Sequence, residues 1–218
     1  MRVLSFSSTM PSNRLQNVNS KQITNQVTGF TGKDTVHISQ KYEQNSLTAD
    51  KLFENCDKYI KESLPTSIYW HTQGAVATAI KLAMMFNIDS NKAALAALLH
   101  DNAKWMKEEE MIQFAQKNNI KPAIQDQVNI NTLHGPVGAF IAKTKLGVKD
   151  PDVLEAITHH TFVKPEMCDL AKLVLLADKI DPVTRDKDLI KSVMQTLTRT
   201  RSLNEGIITL FKERHWIP

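Results

Sequence analysis

AALAALLHD, residues 93–101, decides the fold class. Residues 93–99 are all Ala or Leu, strong helix formers, so a helix here is apolar on every side and belongs in a core. That helix delivers His100 and Asp101 at its end. Burying an ionised carboxylate without a partner costs several kcal/mol or more, so the pair needs compensation, and a cation supplies it. LAKLVLLAD, residues 170–178, repeats the design: a mostly apolar helix ending in Asp178. Two buried helices that each end in a carboxylate are the main physical clue in the chain.

Outward from these two segments the pattern stays helical. A first helix is expected over 49–63, with Leu52, Phe53, Cys56, Tyr59 and Ile60 on one stripe and Pro65 after it. The second runs from about Ser67 to Phe86 and carries His71 in its first turn. Asp89 or Ser90 caps the third, which continues to about Lys104. EEEMIQFAQKNN (108–119) makes a short amphipathic helix, with acids at the start where the dipole favours them. A looser segment around Pro122 leads into LHGPVGAFIAKTKLG (133–147). There Pro136 suits a first turn and Gly147 a C-terminal cap. Asp150-Pro151 opens the next helix, Pro182 closes the one that follows Pro165, and the last third holds one or two more. The expected class is all-α, a helical bundle with no convincing strand; TVHIS (35–39) has no pairing partner nearby.

Residues 1–46 are rich in Ser, Thr, Asn and Gln and lack periodicity, so a disordered N-terminal tail (1–46) is expected ahead of a domain over 47–218. The chain has 27 basic and 23 acidic residues. Five basic and two acidic ones fall in 1–46, which leaves 22 against 21 in the remainder. The folded part is nearly neutral and has no patch suited to nucleic acid. Cys56 and Cys168 lack a CxxC partner and read as reduced thiols. The N-terminus lacks the apolar run of a secretory signal, and nothing approaches the roughly 18 apolar residues of a membrane span. A cytoplasmic protein is expected.

His100 and Asp101 are neighbours, so on a helix they diverge by about 100° and share an ion only at the lip between the two directions. Further ligands must come from other helices. His71, His134, His160 and Asp178 are the candidates, whereas His37 and His215 read as ordinary tail and terminal residues. Mixed imidazole and carboxylate donors suit Fe, Mn or Zn better than Ca or Mg. Lys104, three residues after Asp101, reads either as a solvated lysine or as a phosphate contact.

His71, His100-Asp101 and Asp178 have the order and spacing of the HD-domain phosphohydrolases. WHTQGAVATAIKLA (70–83), AALLHDNAK (96–104), LHGPVGAF (133–140), AITHHT (156–161) and LADKIDP (176–182) resemble the YqeK family of symmetrical bis(5′-nucleosyl)-tetraphosphatases, which split diadenosine tetraphosphate into two ADP. The resemblance covers roughly residues 55–185. It implies that His71, His100, Asp101 and Asp178 are metal ligands for one or two Fe²⁺ (or Mn²⁺) ions. His134 and His160 would complete a second metal position or contact nucleotide phosphates, and His159 would be a non-ligand. Asp101 and Lys104 would be catalytic, and Lys104, His134, His160, Thr161 and Arg185 would contact the nucleotide. The implied partner is a dinucleoside polyphosphate, with neither nucleic acid nor membrane involved, and a homodimer is compatible with the chain.

Ile68 stands where the family commonly has Arg, and ADKIDPVTR puts Arg185 one residue late. HDNAK replaces HDYAK. These departures bear on phosphate contacts more than on the metal. They keep two alternatives in view: an HD-domain phosphohydrolase for another nucleotide or phosphoester, and a catalytically quiet HD scaffold.

Overall fold

Acidic side chains write three of the helix starts. Asp89 accepts the backbone N–H groups of Asn91 and Lys92 at 2.8 and 3.1 Å. Asp150 does the same for Asp152 and Val153, and Asp186 for Asp188 and Leu189. Each cap satisfies donors that the first helical turn leaves open, a contribution of about 1 kcal/mol. Pro151 follows Asp150 at the first position, where its missing N–H costs nothing.

The structure, a computed structural model, describes residues 49–123, 126 and 129–216. The sequence-expected tail over 1–46 and TVHIS lie outside the described residues. The described elements are α1 (residues 49–63), α2 (Thr66–Phe86), α3 (Ser90–Leu99), α4 (Glu108–Lys117), a 3₁₀ turn (Ile130–Thr132), α5 (His134–Thr144), α6 (Pro151–His159), α7 (Asp169–Lys179), α8 (Lys187–Thr200) and α9 (Leu203–Glu213). Among the described residues there is no strand, and no helix is long and apolar enough to cross a membrane.

The two apolar segments are central, as their composition requires. Ala96, Ala97, Leu98 and Leu99 of α3 are fully buried, and so are Leu173, Val174, Leu176 and Ala177 of α7. Burying one such leucine contributes roughly 1.5–3 kcal/mol. Around them α2 packs on α3 and α7, α6 packs on α3 and α7, and α9 packs on α7 and α8. A smaller apolar cluster (Ala103, Met111, Ala115, Leu133, Val137, Ile141) seats α4 on α5. Cys56 is buried in the main core, which pushes its thiol up to about 11, and Cys168 is half-buried; both are free.

Two expectations are corrected. The third helix stops at Leu99, not near Lys104. Beyond it the chain closes i→i+3 turns: Asn102 donates to Leu99 O (3.2 Å), Lys104 to Asp101 O (2.9 Å) and Met106 to Ala103 O (3.0 Å). The side chain of Asn102, fully buried, donates to Gly138 O on α5 at 3.0 Å, and that tertiary tie competes with a continued α-helix. The second helix begins at Thr66, directly after Pro65, so His71 lies in its second turn. Gly147 does take the left-handed conformation expected after α5, with φ +78°.

Candidate metal centre

Three of the four clustered histidines are fixed by one device. A helix leaves its last carbonyls without intrahelical donors. His100 caps the end of α3, and its Nδ1 lies 2.6 Å from Ala97 O, three residues back. His160 caps the end of α6, with Nδ1 2.8 Å from Ile157 O. His134, at the start of α5, turns Nδ1 onto Asn131 O of the 3₁₀ turn. A carbonyl only accepts, so Nδ1 carries a proton in each ring, and Nε2 is left either to offer its lone pair to a metal or, when protonated, to donate to a carboxylate. His71 differs: its Nδ1 meets the Asp181 carboxylate at 3.0 Å.

All four Nε2 atoms converge on Asp101 and Asp178. Asp101 Oδ2 lies 3.3 Å from His100 Nε2 and 3.8 Å from His71 Nε2. Its Oδ1 lies 3.3 Å from His134 Nε2 and 3.4 Å from His160 Nε2. Asp178 Oδ1 is 3.0 Å from His71 Nε2 and 3.8 Å from His100 Nε2. Asp101 thus divides the cluster into two lobes, His71–His100–Asp178 on one oxygen and His134–His160 on the other. All six groups are buried.

The arrangement fits a metal on three counts. His134 and His160 point Nε2 at one another at 2.9 Å, and His71 and His100 do so at 3.3 Å; facing lone pairs repel unless a cation or proton lies between them. Both oxygens of Asp101 are buried without a well-directed hydrogen bond. The triads His71–His100–Asp101, His100–His160–Asp178 and Asp101–His134–His160 each bring their ligand atoms within 4.8 Å of one another. Imidazole nitrogen with carboxylate oxygen is a donor set for first-row transition metals.

Electrostatics follow from burial and contact. Burial raises Asp101 and Asp178, but His100, His134 and His160 around Asp101, and His71, Lys179 and His100 around Asp178, outweigh it and hold both well below the usual carboxylate range. Burial lowers His71, yet Asp178 and Asp181 overcome it and lift the ring to about 9. Without a metal, His71 is therefore an imidazolium bridging Asp178 and Asp181, and a metal must displace its Nε2 proton. Burial pulls His160 down to about 4 and keeps it neutral.

The remaining sequence candidates sit at the edge. Lys104 Nζ is 2.8 Å from Asp101 Oδ2. Arg185 places Nη2 3.1 Å from Asp178 Oδ1 and Nε 3.1 Å from Asp178 O. Thr161 follows His160 and has a buried Oγ1 without a partner. His159 stands outside the cluster, edge-on to Phe162.

Sequence reasoning missed Asp181. It is fully buried, holds His71, and accepts from Thr184 Oγ1 (2.6 Å) and from the backbone N–H groups of Val183 and Thr184. Its signal was the second acid of ADKID, which reads as a turn residue before Pro182. Two glycines allow the close approaches that the site needs. A Cβ at Gly74 would lie 2.8 Å from Asp181 Oδ1, and one at Gly135 would lie 2.5 Å from Thr158 O.

Residues 68–183 match the HD domain family model. The chain is 41% identical over 123 residues to a Bacillus subtilis protein named bis(5′-nucleosyl)-tetraphosphatase, symmetrical; the match covers 56% of this chain and 66% of that protein, just under two thirds of it. A Halalkalibacterium halodurans protein of the same name is 39% identical over 158 residues, 69% of this chain and 78% of that one. The fold resembles the crystal structure of a Clostridium acetobutylicum protein described as a predicted HD superfamily hydrolase involved in NAD metabolism. That likeness has a TM-score of 0.67 and 31% identity, and covers 74% of this chain and 84% of the other.

Proposed function

This chain belongs to the HD domain family, and from that premise we propose that it is a metal-dependent hydrolase cleaving diadenosine tetraphosphate symmetrically into two ADP. The observation that carries this reading is the convergence of four imidazole Nε2 atoms on Asp101 and Asp178, joined to the names of relatives at 39–41% identity. His71, His100, Asp101 and Asp178 would hold the metal, Fe²⁺ or Mn²⁺, and His134 and His160 would either hold a second ion or meet the phosphates. A metal there supplies Lewis acidity and lowers the pKa of a water.

The chain's own groups do the rest. Asp101, kept ionised by its imidazoles, orients the attacking water. Lys104 offsets charge that develops on the phosphate at the Asp101 edge, and Arg185 does so at the Asp178 edge. Thr161, next to His160, brings a covered hydroxyl that has no partner among the described residues. The free thiols Cys56 and Cys168 fit a reducing cytoplasm.

Product analysis tests this reading. Protein supplied with Mn²⁺ or Fe²⁺ should convert diadenosine tetraphosphate to ADP alone; equal ATP and AMP would exclude symmetric cleavage. One observation favours a second reading, a different nucleotide or phosphoester. Ile68 packs against the apolar core where the resembled family commonly carries Arg, so that phosphate contact is gone. A nucleotide panel assayed with the same metals separates the two.

A further inference from the structure

Three permanent cations ring the cluster, and each rests on a carboxylate oxygen. Lys104 lies on Asp101 Oδ2 at 2.8 Å, Arg185 on Asp178 Oδ1 at 3.1 Å, and Lys179 Nζ on Asp178 Oδ2 at 2.6 Å. Lys179 has no part in the reading so far. It ends α7, where the helix dipole favours a cation, and a solvated lysine would satisfy that preference. This one is mostly covered. Neighbouring side chains on a helix leave about 100° apart, so the Lys179 chain must fold back over Asp178 to make its contact, and only 20% of it is exposed.

Charge accounting says what the fold-back achieves. Asp101, Asp178 and Asp181 are matched by Lys104, Lys179 and Arg185, with Arg185 Nε also 3.4 Å from Asp181 Oδ2. A divalent ion added to this balance therefore leaves a double positive charge that no further acidic side chain among these contacts answers. An anion must answer it. Asp178 would already be neutralised by Arg185 and the metal, so Lys179 becomes the surplus cation on that edge.

We propose that Lys179 is a phosphate-binding residue, which rests on Asp178 in this structure and holds the diphosphate on the Asp178 side of the scissile bond when substrate is bound. Lys104 serves the other side. The assignment rests on the substrate reading above: a tetraphosphate cut at its centre leaves two phosphates on each flank, and each flank then has its own lysine.

The test uses the full chain with Lys179→Met and, as the conservative control, Lys179→Arg. The probes are Mn²⁺ and then ADP, titrated calorimetrically. Lys179→Met should bind Mn²⁺ within about threefold of wild type, while the Mn²⁺-loaded protein binds ADP about tenfold more weakly. KM for diadenosine tetraphosphate should rise by a similar factor with kcat nearly unchanged, and Lys179→Arg should restore ADP binding. Unchanged ADP affinity overturns the proposal. So does Mn²⁺ affinity falling in step with ADP affinity, because Lys179 would then only support Asp178. If wild type fails to hydrolyse diadenosine tetraphosphate, the substrate reading falls, and the ADP titration still decides Lys179.

Discussion

The two lobes around Asp101 are made from the same residue type and anchored differently. His71 sits inside a long helix, is gripped by the Asp181 side chain and faces Asp178 as well as Asp101. His134 and His160 sit at helix ends, are tied through Nδ1 to peptide carbonyls, and among the described residues come within 4 Å of no carboxylate but Asp101, with Asp178 further from His160. One lobe is rich in charge and side-chain support; the other borrows its single anion. Metal grip should therefore be unequal across Asp101, strong on the Asp178 side and weak on the His134–His160 side.

The harshest way to break this comparison is to remove what both lobes share. Asp101→Ala should lose bound metal and cut turnover by roughly a thousandfold or more, because Lewis-acid stabilisation is worth several kcal/mol and each 1.4 kcal/mol is tenfold. Metal analysis beside kcat/KM checks it; a variant that keeps its full metal content would refute the shared-oxygen geometry. Next, His71→Ala should deplete metal about tenfold or more beyond His134→Ala, since His71 is the ring that both Asp178 and Asp181 hold in place. Equal depletion would mean that the lobes are equivalent.

Asp181→Asn is subtler. It keeps the shape but weakens the partner that orients His71, so Mn²⁺ affinity should fall by about 10–100-fold, as for other outer partners of metal-binding histidines. Smallest is the pH effect. The raised value of His71 means that its contribution to the stability of the metal-free chain is fully present below pH 6.5 and is lost as pH rises through about 9. Mn²⁺ affinity should move the opposite way, strengthening up to about tenfold per pH unit until His71 has lost its proton. Calorimetry in buffers of different ionisation enthalpy reads that proton directly; no proton release near pH 7 would refute a protonated His71.

Much of this was legible in the sequence, for a physical reason. A run such as AALAALL has one way to hide its surface, so α3 and α7 had to be central, and an acid at the end of each had to find a counter-charge. Two helix starts were legible because Asp89 and Asp150 are caps with local partners. What escaped was set by distant contacts. The end of α3 at Leu99 depends on Asn102 reaching Gly138, thirty-six residues away in sequence. Asp181 looks like a turn acid until His71 is placed beside it from α2. The fold-back of Lys179 depends on the environment of Asp178, which no local pattern encodes.

The carbonyl ties of His100, His134 and His160 have a consequence for how such a centre can vary. A peptide oxygen is present whatever residue bears it, so substitution cannot remove those three anchors or change their chemistry. The His71 ring alone leans on replaceable side chains, the Asp181 carboxylate and the Thr184 hydroxyl. Natural or laboratory variation that adjusts ligand basicity through a ring's outer partner has its address at positions 181 and 184, and the other three imidazoles keep their electronic character by default.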